Sequence, residues 1–188
     1  VQRKNLIKIT LLLLLLAGGA GRLLQQDEKT DSEQEVAEHT PDYFLRDFTI
    51  TTMGPDGRPE QRLTAELMQH YPDDDTTDLT HPNILLYDKD NPPWEVRSET
   101  GWLSGDGELL VLQGMVTIDR AAGPNNRPLH LITRDLQVRP KENYAETDQK
   151  VTIRSLHDQQ ESDGMQAWFR KPIRLRFAPN VRGRYEIN

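Results

Sequence analysis

Five histidines, five serines and one dense run of carboxylates are the residues of this sequence best equipped for catalysis or metal binding. His39, His70, His81, His130 and His157 fall in no H-x-H or H-E-x-x-H spacing, so no pair is placed to share a metal ion. Ser32, Ser98, Ser104, Ser155 and Ser162 lie in no G-x-S-x-G elbow, the turn that exposes a serine nucleophile. Y-P-D-D-D-T-T-D over 71–78 gathers Asp73, Asp74, Asp75 and Asp78. A hard cation such as Ca²⁺ takes oxygen ligands of this kind, but the spacing is not that of an EF-hand. A solvated acidic loop is the plainer reading. L-S-G-D-G-E-L has glycines without a following G-K-[ST], which makes it a hairpin turn and not a phosphate loop. With no cysteine in the chain, disulfides, thiolate-ligated zinc, thiol catalysis and a lipid-acylated cysteine are all excluded. These observations point to no enzyme, no metal ion and no cofactor.

The net charge of −7 is unevenly placed. Residues 25–41 carry Asp27, Glu28, Asp31, Glu33, Glu35 and Glu38 against Lys29, a net −5 that leaves the rest of the chain near neutral. No basic block interleaved with aromatics suggests nucleic acid. Ahead of this acidic stretch, Arg3, Lys4 and Lys8 precede an apolar run through Leu11–Leu16 to Leu24. Its uncharged part has the length of a signal-peptide core. Counted from Leu6 to Leu24 it spans roughly 28 Å as a helix, enough for a membrane anchor. The run alone does not separate cleaved signal from retained anchor. In either case the bases put the amino terminus in the cytoplasm and the remainder across the membrane. Residues 25–42 hold too few aliphatics to fold and read as a linker.

From residue 43 the apolar positions alternate with period two between short turns, the pattern of antiparallel strands. Leu63, Ala65, Leu67 and Tyr71 alternate, as do Trp94, Val96, Ser98, Thr100 and Trp102. Trp168 is read as a third inward tryptophan. No segment shows a convincing amphipathic helix, so the body is expected to be all-β: a sandwich, jelly roll or open roll of stacked hairpins. S-E-T-G-W-L…V-T-I-D and T-R-D-L-Q-V…V-T-I-R form a faint repeat, 35 residues apart, sharing Val-Thr-Ile at 116–118 and 151–153. A unit of this size cannot bury its own apolar face, so the units must stack. Stacking leaves two strands unpaired, around 44–52 and 173–187, and unpaired edges either are guarded or accept a partner strand. Whether the inward residues fill a core or line a groove is not decided by periodicity.

Several short motifs occur in a particular order. They are G-x₅-L-x-A at Gly57, Leu63 and Ala65; T-H-P at 80–82; D-K-D-N-P-P-W at 88–94; and L-x-G-x-V at Leu112, Gly114 and Val116. L-I-T-R-D-L-Q-V at 131–138, E-T-D-x-x-V at 146–151 and S-D-G-M at 162–165 follow. In order and spacing they resemble the LptC family of lipopolysaccharide export proteins of Gram-negative bacteria, over nearly the whole chain. The resemblance implies a non-enzymatic component with a retained single-pass inner-membrane helix (1–24), a linker (25–42) and a periplasmic β-jellyroll (43–188). It further implies that lipopolysaccharide is taken from an ABC transporter of LptB, LptF and LptG and passed to LptA. The first strand, with Phe44, Arg46 and Phe48, would then pair with LptF. The last strands, with Ile173, Leu175, Phe177 and Tyr185, would pair with LptA. Gly57 and Gly164 match family glycines, for which the plain reading is a turn with φ above zero. Acyl chains would travel along the inward set: Phe48, Ile50, Leu63, Ala65, Leu67, Leu79, Ile84, Leu86, Trp94, Val96, Leu110, Leu112, Val116, Ile118, Leu131, Leu136, Val138, Val151 and Ile153. The same edges leave a homodimer open when partners are absent. The other readings are an anchored structural or regulatory β-domain with a filled core, and a secreted carbohydrate- or calcium-binding jelly roll.

Overall fold

A computed structural model describes residues 39–169 and 172–184. The chain divides into two units, Val1–Thr40 and Pro41–Asn188. The expected anchor and nearly all of the acidic linker lie outside the described residues. No helix among the described residues is long and apolar enough to cross a membrane.

The second unit is all-β and antiparallel, as its alternation requires. Its strands are β1 (Tyr43–Met53), β2 (Pro59–Tyr71), β3 (Thr76–Thr80), β4 (Asn83–Leu86), β5 (Trp94–Leu103), β6 (Leu110–Arg120) and β7 (Leu129–Arg139). After a 3₁₀ turn at Pro140–Glu142 come β8 (Tyr144–Thr147), β9 (Val151–Ser155), β10 (Asp158–Ser162), β11 (Met165–Trp168), β12 (Arg174–Phe177) and β13 (Arg182–Arg184). All belong to one sheet, and its pairing shows how it becomes two layers. The long strand β2 pairs with β3 over its carboxyl half and with β4 over its amino half. β7 likewise pairs with β8 at one end and β9 at the other. Then β8 continues to β11 and β12, and β9 to β10 and β13. The chain is thus an up-and-down meander of long strands, each bent or broken near its middle, so that the sheet folds along one crease into two leaves.

The crease is written in the backbone. Asp47, His81 and Asp135 adopt φ of 45°, 47° and 48°, and Gly114 adopts 75°. Asp and His tolerate the left-handed region better than most side chains. On the outer side of the crease, carboxylates take up amide groups that the bends release. Asp135 Oδ1 accepts the Gly114 N–H at 2.9 Å, and Glu99 Oε1 accepts the Met115 N–H at 3.0 Å. On the inner side, buried hydroxyls donate to carbonyls: Ser98 to Thr100, Thr133 to Lys150, Thr147 to Arg134 and Ser162 to Gly164, at 2.8–3.1 Å. Those hydroxyls therefore cost little to bury, because each has its partner.

Bending also moves the side-chain phase. In one leaf a single cross-strand row runs Tyr43, His70, Thr77, Leu103, Leu110, Val138, Ala145, Ala167, Leu175. In the other it runs Ile50, Leu63, Ile84, Val96, Ile118, Leu131, Ile153, Gln160, Gly183. Both rows face inward, yet on β1, β2, β5 and β7 they are an odd number of residues apart. The alternation slips by one residue at the crease. β6 keeps its phase because a bulge between Leu112 and Met115 inserts a residue there. The leaves pack along the crease. Leu112, Val116, Leu136 and Ala145 form one buried cluster, Leu131, Val151 and Met165 a second, and Ala65, Met68 and Leu79 a third.

Candidate functional site

Along the crease the inward residues are fully covered: Val116 is 0% exposed, Leu112 and Leu136 2%. Burying such side chains contributes about 1.5–3 kcal/mol each. One step out, Leu63, Val96, Leu103, Leu110, Ile118 and Val138 are only half-buried, and further still Leu86 is exposed. Burial is deepest along the crease and uneven one step out, where Ile84, Leu131 and Ala145 stay buried beside these half-buried neighbours.

The structure brings most of the expected inward set onto these two leaves. Phe48, Ile50, Leu63, Ala65, Ile84, Leu86, Trp94, Val96, Val116, Ile118, Leu131, Val151 and Ile153 share the phase of one leaf. Leu79, Leu110, Leu112, Leu136 and Val138 share that of the other. Leu67 does not belong. It pairs with Arg46 and Thr80 on the outer phase, while Met68, paired with Leu79, takes the inward place. The slip at the crease is the reason, since unbroken alternation from Leu63 and Ala65 points to Leu67. For the same reason Thr100 and Trp102 leave the face of Trp94, and Gly101 and Leu103 replace them. Trp168 also faces outward, pairing with Tyr144, with ring centroids 5.3 Å apart. Ala145 and Ala167 complete the inner row although alternation did not single them out. Ala145 was legible through the repeat, where Leu109-Leu110 aligns with Tyr144-Ala145.

Among the described residues, β1 pairs only with β2, β12 only with β11 and β13 only with β10. These are the two edges. On β1, Phe44 is 58% exposed with the Arg46 guanidinium over its ring, whereas Phe48 turns inward against Ala65. At the other edge Ile173 and Leu175 are exposed and Phe177 half-buried; Tyr185 lies outside the described residues. Gly57 has φ of 74° with nothing within 4 Å of an added Cβ, as a turn glycine should. Gly164 is a correction: its φ is not positive. A Cβ there would stand 3.0 Å from the Thr147 carbonyl oxygen and 3.1 Å from Ala178 Cβ, so close approach of neighbouring strands fixes this glycine.

The polar side chains are engaged in holding the frame. His70 is bonded through Nδ1 to Asp42 at 2.7 Å and through Nε2 to Asp75 at 2.9 Å, and stacks on Tyr43 with ring centroids 4.6 Å apart. Burial pulls its pKa down, but the two carboxylates outweigh that and hold it above the ordinary imidazole value. Asp74 accepts from the Thr76 N–H and hydroxyl, and Asp78 sits in β3 opposite Trp102. The acids of the 71–78 stretch are thus divided between a turn and a strand. His81 pairs with Glu66 and His130 with Asp119. Glu146 accepts from Arg139 and Tyr144, bonds that lower its carboxyl pKa.

Two leaves meeting along a buried apolar crease, with a singly paired strand at either edge among the described residues, define an all-β domain of the jellyroll or β-roll class. The chain belongs to the LptC-related family of lipopolysaccharide assembly, whose sequence model matches residues 10–186. It is 26% identical over 145 residues to the lipopolysaccharide export system protein LptC of Escherichia coli (strain K12). The match covers 72% of this chain and 73% of that protein, and the LptC of Shigella flexneri matches equally.

Proposed function

We propose that this protein carries lipopolysaccharide through its β-domain as a non-enzymatic component of the export machinery. The acyl chains occupy the space between the leaves and leave the sugars and phosphates outside. The observation that carries this reading is the pair of unbroken inward rows running from edge to edge, apolar through most of their length. An acyl chain moving along them avoids the cost of hydrating each CH₂, about 0.8 kcal/mol. Residues 1–24 anchor the domain in the inner membrane and 25–42 act as a spacer, with the domain in the periplasm. The edge at β1 receives lipid by pairing with the LptF part of the transporter of LptB, LptF and LptG. The edge at β12 and β13 passes it to LptA. Family membership supports this direction of travel, and the exposed, singly paired edges support pairing at both ends.

The test uses membrane vesicles containing the transporter and the full chain with a photo-crosslinker at Val138 or at Arg97. Lipopolysaccharide should attach at Val138, only with ATP, and not at Arg97. Equal labelling of both positions, or capture independent of ATP, would contradict the proposal.

A further inference from the structure

The edge strand β12 carries a charge pattern that the rest of the domain does not need. Its arginines alternate with apolar residues: Arg174 and Arg176 face outward, and Leu175 and Phe177 inward. Across the ladder they stand opposite Trp168 and Gln166, which carry no charge. Neither arginine has an ion pair among the described residues, and both are exposed. No Asp or Glu occurs from Gly164 through Arg184, a stretch that also contains Arg170, Lys171, Arg182 and Arg184. Arg182 on β13 stands opposite Glu161, so it is β12 that combines an open edge with an arginine row facing no carboxylate across its ladder.

We propose that β12 accepts an acidic strand of a second protein. That strand carries carboxylates at the alternate positions facing Arg174 and Arg176, and apolar residues between them toward Leu175 and Phe177. The proposal rests on the reading of β12 as a docking edge and adds the chemistry of what docks. Residues directly opposite in adjacent antiparallel strands lie close enough for side chains of opposite sign to pair and for like charges to repel. Backbone ladder bonds are indifferent to sequence, so the outward row is where one strand is distinguished from another. The same row disfavours a second copy of this chain. Two β12 strands side by side would set arginine against arginine. The β1 strand of another copy would bring Phe44 and Arg46 on the corresponding leaf. An unpaired edge thereby stays closed to its own kind and open to an acidic partner. A strand fits these groups better than an anionic lipid headgroup does, because it also satisfies the free backbone N–H and C=O groups between the arginines.

Three synthetic β-hairpins sharing one apolar pattern, with Glu, Thr or Lys at the outward positions, are titrated against the full chain in detergent at low salt. Each cross-strand ion pair changes affinity by roughly two- to fivefold. The Glu hairpin should therefore bind about tenfold more tightly than the Thr hairpin. In the R174E/R176E chain the order should invert, with the Lys hairpin tightest and the Thr hairpin unchanged. Equal affinities for Glu and Thr hairpins on the unaltered chain would overturn the charge pattern while leaving the docking edge standing. No binding of any hairpin would remove both. Phosphatidylglycerol vesicles that compete with the Glu hairpin, and lose binding in R174E/R176E, would reassign the arginines to a headgroup and overturn the proposal.

Discussion

Gly114→Ala tests whether the crease is built as described. Gly114 has φ of 75°, a region that costs an L-residue about 1–2 kcal/mol. Its new Cβ would collide with Glu99 Oε2 and stand 2.5 Å from Cδ and 2.9 Å from Cβ. Glu99 must swing away, and in doing so it releases the Met115 N–H. Loss of that charge-assisted bond at an exposed site adds about 1–1.5 kcal/mol. The sum is a destabilisation of roughly 2–3.5 kcal/mol. Gly57→Ala is the internal control, since Gly57 has nearly the same φ of 74° but nothing within 4 Å. It should cost only the backbone part, about 1–2 kcal/mol. Urea unfolding of the full chain in detergent, followed by tryptophan fluorescence, reads both. A double-mutant cycle with Glu99→Ala isolates the clash: Glu99→Ala should cost less in the Gly114→Ala background than alone. If Gly114→Ala and Gly57→Ala destabilise equally, or the cycle shows no coupling, Glu99 does not brace the crease.

Other consequences are equally direct. Met68→Lys should cost about 3 kcal/mol or more, because it places an ammonium in a buried cluster. Leu67→Lys on the outer phase should stay under about 1 kcal/mol, and the same urea titration distinguishes the two. His70 has a folded-state pKa above its ordinary value, so its clamp on Asp42 and Asp75 is fully present below the ordinary imidazole pKa. It is lost as pH rises through the raised value. With both carboxylates well exposed, the effect is about 1 kcal/mol or less. Hydrogen exchange of the β1 amides at Tyr43–Arg46, corrected for intrinsic rate, should quicken over that rise in the unaltered chain and show no such transition in His70→Ala.

The long strands and both edges were legible because period-two alternation is a local property, whereas β3, read as part of an acidic loop, and the polar β10 were not. The repeat was legible too, down to the equivalence of Val116 with Val151 and of Ile118 with Ile153. What alternation could not show was where it breaks. Leu67, Thr100 and Trp102 were drawn inward by continuing the pattern of Leu63–Ala65 and of Trp94–Ser98 through the crease. The break depends on single residues in the left-handed region, and Asp47, His81 and Asp135 look like ordinary polar strand residues until the backbone is seen. Gly164 misled in the opposite sense. A glycine in S-D-G-M reads as a turn, but the constraint comes from Thr147 and Ala178, which are distant in sequence. The arginines of β12 were visible as alternation, yet only the pairing with Trp168 and Gln166 shows that, among the described residues, no carboxylate stands opposite them.

The central claim is that lipopolysaccharide lies between the leaves, and a crosslinking scan along β5 tests it most directly. Photo-crosslinkers at Trp94 and Val96 on one side of the crease, and at Leu103 on the other, should capture lipopolysaccharide. Those at Arg97, Thr100 and Trp102 should not. Capture that follows unbroken alternation through Thr100 and Trp102, or that ignores phase altogether, would contradict the account.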